Sequence, residues 1–107
     1  MAVLVNTLTA TPGAVLTTLY TVPANKRTTV KHLQVTNIGA GAETFRIAIS
    51  TDGAAIVDAH YIAYDMALAA NDKVSWSGLF LGETDIVRVY GSDANVQFFI
   101  SFYEDDE

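Results

Sequence analysis

The plainest pattern in the chain is a period of two. Across residues 44–50, Phe45, Ile47 and Ile49 alternate with Thr44, Arg46, Ala48 and Ser50. Successive side chains of an extended backbone point to opposite faces, so this spacing predicts a half-buried strand. The pattern returns over residues 96–103. Val96, Phe98, Ile100 and Phe102 form one face there, with Phe99 and Tyr103 on the other. A strand apolar on both faces predicts that its second face is covered too, by another part of the domain or by another chain.

Six further runs read as strands: residues 2–9, 15–22, 28–37, 60–68, 73–81 and 86–90. Gly, Pro, Asn and Asp punctuate them, at Pro12-Gly13, Pro23, Gly39 to Gly41, Asp52-Gly53, Asn71-Asp72 and Gly82. Ile62, Tyr64, Met66 and Leu68 alternate, which favours strand over the helix that Ala63, Met66, Ala67 and Ala70 also permit. In the 73–81 run, Val74, Trp76 and Phe80 share one parity, and Gly78 predicts a bulge or a close backbone approach. Residues 54–59 fit either a loop or a short helical turn. Eight runs with regular turns predict an all-β chain. The expected architecture is an antiparallel β-sandwich, jelly-roll-like, of about eight strands, in one domain over residues 1–107. Residues 1–10 read as an N-terminal arm.

Composition narrows the class. The chain is 107 residues long, half hydrophobic and 17% charged, too apolar for disorder. No apolar run approaches the roughly 20 residues of a membrane helix, and the first residues lack the pattern of a secretory signal. No cysteine is present, which excludes disulfides and thiolate metal sites. Formal net charge is −6, but Glu104, Asp105, Asp106 and Glu107 carry much of it. Without them eight acidic residues face six basic ones, a balance of −2. The 104–107 tail reads as a solvated, frayed terminus, or alternatively as a contact for a basic neighbour. A chain of this charge is a poor candidate for binding nucleic acid.

Lys26, Arg27, Lys31 and His32 form the densest positive cluster. It reads as a soluble edge that discourages stray pairing, or as a docking point for an acidic surface such as the tail of a neighbouring copy. Catalysis needs a nucleophile with a base, a metal cluster or paired carboxylates. His32 alternates with Gln34 and Thr36 and is expected on the surface. His60 stands two residues from Asp58, a spacing that reads as a loop-end surface pair. The turns at Asp52 and Asp93 lack the ligand density of a calcium loop. Gly39-Ala40-Gly41 lacks the lysine and helix of a phosphate loop. The expectation is a non-enzyme with no catalytic, cofactor-binding or metal-binding residues. Trp76 reads as core or half-buried. Tyr61, Tyr90 and Tyr103 are the better candidates for exposed contact, which keeps a sugar-binding surface as an alternative.

One stretch resembles a known group. Tyr20-Thr-Val-Pro-Ala-Asn-Lys26 begins a turn, followed by a strand ending at Asn37, a Gly/Ala loop and the alternating 44–50 run. Leu68-Ala-Ala-Asn-Asp72 and Gly82-Glu-Thr-Asp85 supply two later turns. This order resembles small β-sandwich virion structural proteins of tailed bacteriophages, over residues 18–103. The resemblance implies a non-enzymatic virion protein, assembled in the host cytoplasm, without placing it in the head, neck or tail; small size, the lack of a catalytic signal, strands rich in Thr, Val and Ala, and an apolar start over residues 2–8 favour a head decoration or cement protein. It implies the major capsid protein or other virion proteins as partners, and a homo-oligomer, with a trimer favoured. No nucleic acid and no membrane are expected as partners. A neck, tail or baseplate component, or a carbohydrate-binding module for host attachment, are the alternatives. The expected protein-contact residues are Val3 and Val5 in the arm, Lys26, Arg27, Lys31 and His32, and Phe99 and Tyr103 in the last strand.

Overall fold

The computed structural model describes residues 4–51 and 55–106. Nine strands form two antiparallel sheets: β1 (Leu4–Ala10), β2 (Thr17–Thr21), β3 (Lys26–Asn37), β4 (Glu43–Ser50), β5 (Tyr61–Leu68), β6 (Lys73–Trp76), β7 (Leu79–Leu81), β8 (Ile86–Gly91) and β9 (Val96–Asp106). One sheet runs β1-β9-β3-β6, with β7 also on β3; the other runs β2-β8-β4-β5. The chain is therefore one long hairpin wound over itself. β1 pairs β9, β2 pairs β8, β3 pairs β6 and β7, and β4 pairs β5. With β6 and β7 taken as one interrupted strand, the orders become 1-8-3-6 and 2-7-4-5. That is the wiring of a jelly roll, so the expected sandwich and its strand pattern are present.

The count of nine instead of eight traces to Gly78. Its φ of +72° is open to glycine and strained for other residues, and no atom crowds the place a Cβ would take. Its N–H donates to the Val30 carbonyl at 3.1 Å. The kink splits the run and reverses its parity. Val74 and Trp76 face the core before it, opposite Val35 and Leu33; Leu79 and Leu81 face it after, opposite Val30 and Thr28. Phe80 is thus turned outward, against the shared parity read from the sequence.

The inward faces meet in one core. Phe45, Ile47, Leu33, Val35, Val87, Val89, Phe98, Ile100 and Phe102 are buried there. Trp76 is half-buried at its rim, its ring edge-on to Phe45 at 6.0 Å. Residue 37 ties one end together. Asn37 is fully buried; its Nδ2 donates to the carbonyls of Gly41 at 2.8 Å and Leu68 at 3.2 Å, and its Oδ1 accepts from the Gly39 N–H at 2.9 Å.

The other end corrects two expectations. The acidic tail is not frayed over its described part: Glu104, Asp105 and Asp106 continue β9 and pair with Thr28, Arg27 and Lys26. Residues 4–10 are likewise no free arm but the edge strand β1, in unbroken register with β9. A cross-sheet latch secures the tail. The Tyr20 hydroxyl, from the other sheet, donates to Glu104 Oε2 at 2.5 Å and lies 2.7 Å from Thr28 Oγ1. Its ring packs on Phe102 with centroids 4.2 Å apart.

Burial, and after it the hydrogen bond to Glu104, raise the Tyr20 pKa above the ordinary phenol value. A folded-state pKa raised above the unfolded one contributes stability that is fully present below the unfolded pKa, about 10, and lost as pH rises through the folded one. Denaturant titrations from neutral pH to about pH 12 are therefore expected to show stability falling above about pH 10. In Tyr20→Phe that fall is shallower, on a baseline lowered by about 1–2 kcal/mol at neutral pH. Equal slopes in the two proteins would contradict the assignment.

Candidate functional site

Cross-strand partners in a sheet share a face. On the β1-β9-β3 sheet, Phe99 lies opposite Gln34 and Thr9; Tyr103 lies opposite Thr29, which in turn faces Phe80. These side chains form the outer face of the sandwich. Phe80 is 80% exposed and Phe99 37% exposed, the two large apolar residues of that face.

Four of the residues expected to make contacts come together here. A register shift between Val30 and His32 bends β3 at Lys31. The Lys31 ammonium then sits over the Tyr103 ring, 5.1 Å from its centroid. His32 is half-buried rather than exposed as expected: its Nε2 is 3.1 Å from Gln34 Oε1 and its ring is 6.4 Å from that of Phe99. Val5 is opposite Tyr103 in the backbone register of β1, and Val3 lies outside the described residues.

Lys26 and Arg27 do not join this face. Lys26 Nζ pairs with Asp106, which raises the lysine pKa, and Arg27 pairs with Asp105 at 3.3 Å. The acidic partner imagined on a neighbouring copy is in the same chain. The sequence could not reveal this, because the partners lie far apart along the chain and meet only through the β3–β9 register. Phe80, the most exposed aromatic, was also missed. The one signal for it was Gly78, whose break reverses the parity.

The sheet edges differ. β6 and β7 are short and interrupted, β2 carries a register shift, and β5 carries two, with Asp65 at a φ of +48°. Short or bulged edges resist pairing with other chains. β1 has seven residues in regular register, and no other described strand pairs with its outer edge. It continues the aromatic face. Leu8, opposite the buried Ile100, lies on the inner side of the sheet and is partly uncovered at this edge, and Val15 and Leu16 are exposed in the connection that follows.

His60 is the end of a 3-10 turn, Asp58–His60, not the start of a strand. Its Nδ1 accepts from the Val57 N–H at 3.1 Å, so the ring caps its own turn. Among the described residues no three His, Asp or Glu side chains are close enough together to hold a metal ion. What this sheet offers on its outer face is two exposed aromatics, Phe80 and Phe99, and, at β1, a strand edge with no partner among the described residues. No protein-family model matches the chain and no curated protein matches it, so this surface is interpreted from its own geometry.

Proposed function

We propose that this chain is a structural protein of a tailed-phage particle, a decoration or cement subunit that clamps neighbouring shell proteins. The observation that carries the reading is the outer face of the β1-β9-β3 sheet. Phe99 stands exposed on it beside the regular edge at β1, and Phe80 stands exposed on β7, at the other side of the same sheet. Exposed aromatics on a sheet supply contact area at low cost in side-chain entropy, and an open edge supplies backbone hydrogen bonds to a partner strand. The turn sequences from Tyr20 to Asp85 support the phage assignment through their resemblance to virion proteins. Clamping is geometric: each subunit adds buried area across the seam between shell proteins. A closed ring of copies, with a trimer favoured, would place identical faces on symmetric seams.

Quantitative mass spectrometry of purified particles tests this. A copy number comparable to that of the shell subunit is expected. A single ring's worth of copies would move the protein to the neck or tail, and absence from the particle would overturn the reading.

A further inference from the structure

The outer face of the second sheet carries an arrangement that shell binding does not use. Arg46 on β4 is held between two rings, with its guanidinium carbon 4.4 Å from the Tyr64 centroid and 4.7 Å from that of Tyr90. Asp65 grips it twice, Oδ1 accepting from Nε at 2.6 Å and Oδ2 from an NH2 group at 3.1 Å. That contact holds the Asp65 carboxyl below its usual range and raises the Arg46 pKa. The chain thus builds a complete site for an organic cation: two electron-rich faces and one counter-ion.

The same components recur alongside. Tyr61 meets Tyr64 edge-to-face, with centroids 4.9 Å apart and ring planes at 83°. Two rings at right angles make a corner whose faces converge. Asp58, from the adjacent 3-10 turn, adds a carboxylate to a cleft of 360 Å³ that is lined, among the described residues, by Asp58, Tyr61 and Tyr64. No cation of the described residues pairs with Asp58. Tyr64 is shared by the two arrangements, and the Arg46–Asp65 pair is neutral overall, so it does not repel a second cation. The Arg46 stack and its Asp65 clamp also fix the Tyr64 ring, which lowers the ordering cost of binding.

We propose that the Asp58–Tyr61–Tyr64 cleft binds a monovalent organic cation, a guanidinium or alkylammonium group such as the end of an arginine or lysine side chain. Ring quadrupoles attract the cation from two sides, and the Asp58 carboxylate accepts its N–H bonds. The chain's negative net charge favours approach of such a group.

The test is a titration of the intact protein with 13C-labelled tyrosine, read by NMR at low salt. N-acetyl-arginine amide, N-acetyl-lysine amide and tetramethylammonium chloride are the probes. The Tyr61 and Tyr64 ring signals are expected to shift and saturate with dissociation constants of about 10–100 mM. Preference for the arginine or lysine probe over tetramethylammonium is expected, because only these donate N–H bonds to Asp58; the reverse order would overturn the proposal. Asp58→Asn is expected to weaken binding at least threefold, and Tyr64→Leu to abolish it. Both positions are exposed, and unchanged backbone spectra check the fold of each variant. Ring shifts no larger than those from sodium chloride would overturn the proposal. So would full binding by Asp58→Asn, or equal binding of the neutral methyl glycosides of glucose and galactose.

Discussion

Asn37→Ala is expected to lower stability by about 3 kcal/mol, the largest effect of any polar substitution in the chain. The residue is fully buried and makes three hydrogen bonds at once. Those bonds join the end of β3, the 38–42 loop and the end of β5, which lies in the opposite sheet. Removing the amide deprives the Leu68 carbonyl of its partner in a buried bond, and the Gly41 carbonyl and Gly39 N–H of theirs in part-buried ones. Asn37→Asp is no milder. It keeps the acceptor for Gly39, loses both donors, and places a carboxylate against two carbonyl oxygens. Urea unfolding of Asn37→Ala against the wild type measures the loss. A midpoint within error of the wild type would contradict the account of this corner.

The second large effect concerns the tail. A chain ending at Tyr103 is expected to lose about 2–3 kcal/mol. The loss comes from the strand pairing of Glu104 with Thr28 and of its two successors with Arg27 and Lys26, and from the Tyr20 hydroxyl left without its carboxylate. The Lys26 and Arg27 ion pairs add little, since both are solvent-exposed. Salt therefore should not erase the difference between the full and truncated chains. If the tail were frayed, as its composition suggests, the two would unfold together in the same thermal scan.

The strands and the tail show where sequence reading succeeds and fails. The period of two in β4 and β9 was legible because burial of one face dictates it locally. Asn25 and Asn71 were legible as turn residues, and both adopt positive φ. The tail was not, because four acidic residues at a chain end look the same whether solvated or paired. Only the β3–β9 register brings Asp105 and Asp106 to Arg27 and Lys26. β5 was legible as a strand but not in its faces. Two bulges against β4 reset its alternation, so Ala63 and Leu68 are buried while Ile62, Tyr64 and Met66 are exposed. The aromatic face was half legible. Phe99 and Tyr103 followed from alternation; Phe80 was hidden by the parity change at Gly78. The Arg46 cluster was not visible at all, since its members come from three strands, β4, β5 and β8.

The proposed function requires that the outer β1-β9-β3 face bind virion proteins through its exposed aromatics. Co-sedimentation tests it directly, with phage particles assembled without this chain and purified protein added back. The wild type is expected to sediment with the particles. The double variant Phe80→Ser/Phe99→Ser, matched for thermal stability because both side chains are exposed, is expected to bind at least tenfold more weakly. A double variant that binds as the wild type does, or a wild type that stays in solution as a free monomer, would contradict the claim.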